Sequence, residues 1–153
     1  MKTLIIHPDK TQQPVAATLA KEIYQSLPAD DTALASTDIA DAGEADLVLA
    51  VFSLRHGAFA PTVSCYRELR DKKVAFVAVL TGPVDASRVR KTVWGTKKQF
   101  CGNHVVGAYL CPADDEVAWG ISEKEVTNAV NFAHRLYQEH GGESEPESLA
   151  ANF

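Results

Sequence analysis

The sequence predicts one doubly wound α/β domain built on a five-stranded parallel sheet of order 2-1-3-4-5. Strand-like and helix-like segments alternate along the chain, which is typical of domains with a mainly parallel sheet. The segments DLVLAVFS at 46–53 and KVAFVAVL at 73–80 are almost entirely apolar, as central strands covered by helices on both faces are. Five strands with a helix as the last element fit this strand order and a three-layer arrangement.

The N-terminal half supplies the first three strands. The first strand is predicted at Thr3–His7, where a following proline ends it. Apolar residues spaced three and four apart over 15–27 indicate an amphipathic helix, which Pro28 stops. A short second strand is predicted at Thr32–Ser36, and the third is the apolar run at 46–53.

A helix and the fourth strand come next. A proline at 61 suits the first turn of a helix, and the apolar residues behind it give that helix an inward face of Val63, Tyr66 and Leu69. The fourth strand is predicted at Lys73–Leu80, and the Thr-Gly-Pro sequence at 81–83 breaks it.

The C-terminal part is predicted to contain two helices and the last strand. Residues 87–100 form a helix whose inward residues are Val89, Val93 and Phe100, and a Gly-Asn pair ends it. The fifth strand covers 104–110 and closes at Cys-Pro. Ser122 and Glu125 then form a capping box for a final helix that runs to about 140–142.

Residues 1–142 are therefore predicted to form a single domain, and the acidic residues 143–153 are expected to be a loose tail. The N-terminus has only three consecutive apolar residues before His7, too few for a signal peptide, and the longest apolar runs are of strand length. We expect a cytoplasmic protein without a membrane span.

Composition narrows the functional classes. The formal charge of −5 and the absence of a basic stripe argue against a nucleic-acid partner. The three cysteines are unevenly spaced and contain no C-x-x-C, which argues against a disulfide framework or a zinc site. Of these cysteines only Cys111 ends a strand at the ligand-binding edge, and a structural role is favoured for it. An acidic run at 114–116 near that edge is available to steer a basic redox partner.

Ligands of such sheets bind at the carboxyl ends of the strands, beside the switch point between strands 1 and 3. The loops that reach this edge are 8–13, 53–60, 81–84 and 111–119. No motif of a stand-alone enzyme occurs in them: G-x-S-x-G, G-x-G-x-x-G and the phosphatase C-x5-R are all missing from the sequence. We therefore predict no catalytic residue and no metal ligand.

From residue 46 onward, the order DLVLAVFSLRHGAF, YRELRDKKVAFVAVLTGPVDASRVRK, VVGAYLCP and a final helix resembles the flavodoxin-like family. The resemblance covers nearly the whole chain as a pattern of elements. It implies a cytoplasmic FMN flavoprotein that transfers electrons to a redox partner protein, or that serves as an accessory to a reductase.

The resemblance also implies the positions of the cofactor contacts. The phosphate loop corresponds to Asp9, Lys10, Thr11, Gln12 and Gln13. The flavin ring would lie between two further loops, against Ser53, Leu54, Arg55, His56, Gly57 and Phe59 on one side and Thr81, Gly82 and Pro83 on the other. Phe59, His56 and Trp119 are the candidates for stacking on the ring.

The phosphate loop departs from the family pattern S/T-x-T-G-N-T, because its glycine is missing here. That glycine reaches backbone dihedrals that other residues adopt only with strain. Asp9 would repel a phosphate, and Pro14 removes one backbone donor. The alternative is therefore a protein of this fold that has lost FMN binding and acts as a protein-interaction or accessory module. An enzyme acting on a phosphorylated or acidic metabolite is a weaker third hypothesis.

Overall fold

A computed structural model of the chain describes residues 3–8, 13–36, 45–55, 57–61, 69–114 and 120–141. Five strands in these ranges form one sheet of order β2-β1-β3-β4-β5, and every neighbouring pair is parallel. This confirms the predicted fold class and strand order. The strands are β1 (Thr3–His7), β2 (Thr32–Ser36), β3 (Leu47–Leu54), β4 (Lys73–Leu80) and β5 (His104–Pro112).

Helices cover both faces of the sheet. They are α1 (Pro14–Ser26), α2 (Ala86–Gln99) and α3 (Glu123–Leu136), and a π-helical turn at Tyr137–Gly141 extends α3. The apolar faces of α1 and α3 share one core with one face of the sheet. Phe100 and Val93, at the end of and within α2, pack into a second core on the opposite face. No helix in the described part of the chain is long and apolar enough to cross a membrane.

The central strand β3 shows why its sequence is nearly all apolar. Leu47, Leu49 and Val51 belong to the core under α1 and α3, whereas the residues between them, Val48 and Ala50, belong to the other core. Successive side chains of a strand point to opposite faces, so a strand covered on both sides must be apolar at every position. The same holds for β4.

Most predicted element bounds agree with the structure to within two residues. The bounds of β1, β2 and β4 are the predicted ones. The N-cap of α3 is also confirmed, since Ser122 Oγ accepts a hydrogen bond from the N–H of Glu125 at 3.3 Å. The carboxylate of Glu125 accepts a hydrogen bond from the Tyr109 hydroxyl instead of returning to the cap. The helix predicted behind Pro61 and the tail at 143–153 lie outside the described residues.

The predicted inward face of α2 is only partly right. Phe100 is fully buried, but Val89 and Val93 are only partly buried. The residues of α2 that are buried are Arg88, Thr92 and Thr96. Spacing of four residues puts these three on one helix face, so α2 turns a polar stripe toward the sheet. Burial of Arg88 is explained by the hydrogen bonds that its guanidinium donates to backbone carbonyls at the carboxyl edge of the sheet.

Candidate functional site

The carboxyl edge of the sheet is stepped, because β3 extends beyond its neighbour β1. Pairing between these strands stops at Ala50, whereas β3 continues to Leu54. The backbone of β3 beyond Ala50 therefore has no partner on β1. Gln13 closes this gap: its side-chain Oε1 accepts a hydrogen bond from the N–H of Ser53 at 2.7 Å. Two of the predicted site residues from distant parts of the chain are thus in direct contact.

The N-terminus of α1 lies next to this contact. Gln13 is the N-cap residue, its side chain makes no capping hydrogen bond, and a proline follows it in the first turn. No acidic residue lies in that turn. The N–H groups of Val15 and Ala16 fall among those that a helix leaves without an internal partner, and the helix dipole makes this end positive. This end of α1 therefore suits an anion.

Arg88 joins the loops that follow β3 and β4. Its guanidinium is buried, with the residue 6% exposed. Nη1 donates hydrogen bonds to the carbonyl oxygens of Thr81 at 2.6 Å and Pro83 at 2.9 Å. Nη2 donates to those of Arg55 at 3.1 Å and Leu54 at 3.4 Å. Both loops predicted to hold a ligand are thereby fastened to one side chain, and the N–H of Thr81 adds a direct bond to Leu54 O at 3.0 Å.

The contacts of Arg88 also fix the direction of backbone donors. In a trans peptide the C=O and the following N–H point in opposite directions, and the described residues contain no cis peptide. Because the carbonyls of Thr81 and Pro83 point at the guanidinium, the N–H groups of Gly82 and Val84 point away from it. The loop after β4 therefore presents donors on the side opposite Arg88, which suits a ligand edge rich in acceptor atoms.

Sequence reasoning missed Arg88, although one signal for it was present. Asp85 caps α2 by accepting a hydrogen bond from the N–H of Arg88 at 2.8 Å. A cation in the first turn of a helix is unfavourable because it lies at the positive end of the dipole. An arginine three residues after an aspartate N-cap therefore indicates another partner, here the carbonyl oxygens of the two loops.

Glycines at two loop positions take backbone conformations that other residues reach only with strain. Gly57 has φ of 90° and Gly82 has φ of 88°. A Cβ built on Gly57 would meet nothing within 4 Å, so open space lies beside this loop. The loop after β3 is thus both shaped by its glycine and accessible on that side.

Phe59 lies at the side of α2. The residue is 37% exposed, and the Nζ of Lys91 lies 5.4 Å from the ring centroid. The loop approaches the helix closely, because a Cβ built on Gly95 would lie only 2.8 Å from the Phe59 carbonyl oxygen. The structure therefore places Phe59 beside α2, on the side of the helix where Lys91 and Gly95 lie. His56 and Trp119 lie outside the described residues.

Cys111 ends β5 in the core. It is fully buried, and burial, reinforced by the nearby Glu125 carboxylate, raises the pKa of its thiol to about 12. The thiol is therefore protonated at neutral pH and is a poor nucleophile. This agrees with the structural role favoured for it. Within the described ranges, no group of three or more His, Cys, Asp or Glu side chains is placed to hold a metal ion.

The described edge brings together most of the predicted site residues. Gln13 and Ser53 are hydrogen-bonded at the N-terminal end of α1. Arg88 connects the end of β3 and its following residue to the loop after β4, through the carbonyls of Leu54, Arg55, Thr81 and Pro83. Gly57 and Gly82 lie in the same two loops. The phosphate-loop residues Asp9, Lys10, Thr11 and Gln12 lie outside the described part, so their role stays a prediction.

Comparison with known proteins gives similarity at the level of structure. No protein-family model and no curated protein matches the sequence. Oxidised flavodoxin 2 from Bacillus cereus is similar with a TM-score of 0.59 and 19% identity, covering 88% of this chain and 96% of that one. The flavodoxin of Streptococcus pneumonia TIGR4 has a TM-score of 0.56 and 15% identity, covering 89% and 97%.

A flavoprotein from Lactobacillus acidophilus NCFM, solved in complex with FMN, is also similar. Its TM-score is 0.50 at 15% identity, and the match covers 71% of this chain and 92% of that one. Together with the strand order 2-1-3-4-5, these similarities show that the chain has the flavodoxin-like fold.

Proposed function

We propose that this chain binds FMN at the carboxyl edge of its sheet and serves as an electron-transfer protein or reductase accessory. The observation that carries the proposal is the buried Arg88 guanidinium, which holds together the two loops between which a flavin ring is expected. The fold similarity to flavodoxins, and to a flavoprotein that was solved in complex with FMN, supports it.

The phosphate of FMN fits the N-terminal end of α1. That end has no side-chain cap and no acidic residue in its first turn, so backbone N–H groups and the dipole are available to an anion. Lys10, Thr11 and Gln12 would add side-chain donors. The Gln13 contact with Ser53 holds the start of the helix close to the end of β3.

The ring of FMN fits the two loops fastened by Arg88. Ser53 to Phe59 would hold one face, and Thr81, Gly82 and Pro83 the other, with the N–H groups of Gly82 and Val84 as donors. Bound FMN supplies the one- and two-electron chemistry that the protein side chains lack. The charge of Arg88, buried where the dielectric is low, stabilises negative charge in its surroundings. This chain therefore favours a ligand that gains electrons at this edge.

One observation favours the second candidate, a module of this fold that works through protein contacts without FMN. The side-chain Oε1 of Gln13 already accepts a hydrogen bond from the N–H of Ser53, so one backbone donor at the edge is taken. The loop glycine is also missing, and Asp9 and Pro14 both weaken an anion site.

The experiment is a titration of the purified protein with FMN and, in parallel, with riboflavin, which lacks the phosphate. Quenching of FMN fluorescence with a micromolar or tighter dissociation constant is expected. Riboflavin should bind at least about tenfold more weakly if the α1 N-terminus holds the phosphate. No quenching at saturating FMN would contradict the proposal and favour the second candidate.

A further inference from the structure

The charge of this chain is unevenly distributed, because α2 contains basic residues and no acidic ones. The helix Ala86–Gln99 contains five of the 15 lysine and arginine residues and none of the 20 acidic residues. The rest of the chain therefore carries a formal charge of −10, although the total is only −5. The prediction that the chain has no basic stripe is wrong, because helical spacing gathers cations that look scattered in the sequence.

The exposed cations of α2 lie on one side of the helix, around an exposed tryptophan. We use the name α2 stripe for the exposed residues Arg90, Lys91, Trp94, Lys97 and Lys98. Residues spaced three, four and seven apart share a helix face, and the buried residues Arg88 and Thr92 lie on the opposite face. The stripe therefore faces away from the sheet.

Apolar surface accompanies this charge. Trp94 is 65% exposed, and the Nζ of Lys98 lies 3.8 Å from the centroid of one of its rings. The other large apolar side chains exposed in the described ranges, Phe59 and Val84, also border α2. Phe59 lies under Lys91, and Val84 comes two residues before the helix. Tryptophan and arginine are among the residues that dominate protein-protein binding energy, and the exposed lysines around them add positive charge that steers an acidic partner.

We propose that the α2 stripe docks an acidic protein surface that offers an apolar contact to Trp94. The cations of the stripe are complementary to carboxylates, which steers association and selects the partner. The stripe from Arg90 to Lys98 is only about 12 Å long. The charge of −10 on the rest of the chain repels an extended polyanion such as a nucleic acid or an anionic membrane. A compact acidic patch avoids that repulsion.

This inference gives the proposed function a partner of stated chemistry, and only the transfer of electrons to that partner rests on FMN binding. The stripe adjoins the candidate site, because Gly95 in the same helix lies against the Phe59 backbone. A partner on the stripe would therefore sit beside the loop after β3. The acidic run at 114–116 had indicated a basic partner, but of that run only Asp114 is described.

The test uses the protein without FMN, so that its outcome does not depend on cofactor binding. The probe is a fluorescently labelled synthetic peptide in which aspartate and glutamate alternate with leucine and phenylalanine. Binding is followed by anisotropy at low and high salt for the wild type, Trp94→Ala and Arg90→Glu/Lys97→Glu. The control is Lys21→Glu/Lys124→Glu, which changes the net charge equally at exposed positions on α1 and α3.

We expect salt-sensitive binding by the wild type and the control, and a loss of at least about tenfold in both stripe variants. Absence of wild-type binding, or an equal loss in the control, would overturn the proposal. Tighter binding to a single-stranded oligonucleotide or to phosphatidylglycerol vesicles than to the peptide would assign the stripe to a polyanion. Concentration-dependent dimerisation of the wild type that Arg90→Glu/Lys97→Glu abolishes would assign it to a second copy of the chain.

Discussion

A guanidinium group buried in the first turn of a helix is costly, because it loses hydration and opposes the dipole. Arg88 is held in that position by four carbonyl oxygens of two separate loops. A buried charge is tolerated when hydrogen bonds satisfy it, and here those bonds also fix the loops. The Arg88 side chain therefore holds the two loops in place at the carboxyl edge. Its positive charge also acts on any ligand that binds there.

Replacing Arg88 tests this directly. Arg88→Met should lower the free energy of unfolding by about 2–4 kcal/mol, because the loop carbonyls lose charge-assisted hydrogen bonds. The free energy of unfolding of Arg88→Lys should lie between those of the wild type and Arg88→Met, since one ammonium group cannot reach the carbonyls of both loops. Urea unfolding followed by circular dichroism measures the change. Arg90→Met, exposed on the same helix, should stay within about 0.5 kcal/mol of the wild type, and equal losses at the two positions would refute the role given to Arg88.

His140 gives a pH dependence. Its side chain is only 11% exposed, and burial, with the nearby Lys73 charge, lowers its pKa below the ordinary 6.5. The unfolded chain therefore binds the proton first as the pH falls, so stability is complete above about 6.5 and is lost below it. Between about pH 7 and 5.5, the stability of His140→Gln should fall less steeply than that of the wild type or of His134→Gln. Parallel curves for all three would contradict this.

Helix α2 shows that the bounds of a helix can be predicted even when the face that it turns toward the sheet is not. The periodicity of Val89, Val93 and Phe100 placed the helix correctly to within one residue at each end. It could not show that Arg88 turns inward, because all four partners are backbone carbonyls, which have no side-chain signature. Two of them, Leu54 and Arg55, lie more than 30 residues away in the sequence. The apolar strands β3 and β4 were predictable because burial on both faces requires apolar residues at every position.

The close approach of α2 to the loop after β3 gives a prediction whose sign has to be argued. Gly95→Ala would gain up to about 1 kcal/mol of helix propensity. The added Cβ would lie 2.8 Å from the Phe59 carbonyl oxygen, a backbone atom that can move only with its loop. We expect a net loss of about 1–2 kcal/mol. Thermal unfolding measures it, with Trp94→Ala on the exposed face as the near-neutral control; a stabilised Gly95→Ala would show that the loop is not held there.

The alternation of strands and helices was enough to predict the architecture of the molecule, because parallel strands need crossover helices and few sheet orders accommodate five of them. The position of the candidate site was predicted from that architecture, since ligands of such sheets bind at the switch point. The hydrogen bonds within the candidate site could not be predicted from the sequence, because Gln13 and Arg88 bond to residues that are distant in the chain and come together only on folding.

If FMN binds only the folded protein, the stability of the entire domain should depend on its concentration. At a free concentration one hundred times the dissociation constant, the gain is about 2.7 kcal/mol. For a domain of this size that raises the melting temperature by about 5–10 °C. Differential scanning calorimetry with FMN and with riboflavin measures the shift. A shift from neither compound would agree with an FMN-free module, and equal shifts at equal concentrations would exclude a phosphate contribution.

The hydrogen bond between Gln13 and Ser53 also has a consequence for entropy at the carboxyl edge. A free glutamine side chain at the start of a helix samples many rotamers, whereas the bond from the Ser53 N–H holds the Gln13 side chain in one of them. That ordering takes place when the protein folds, so its cost does not recur when a ligand reaches this edge. The step between β1 and β3, which leaves the Ser53 N–H without a partner on β1, thereby pre-organises the start of α1.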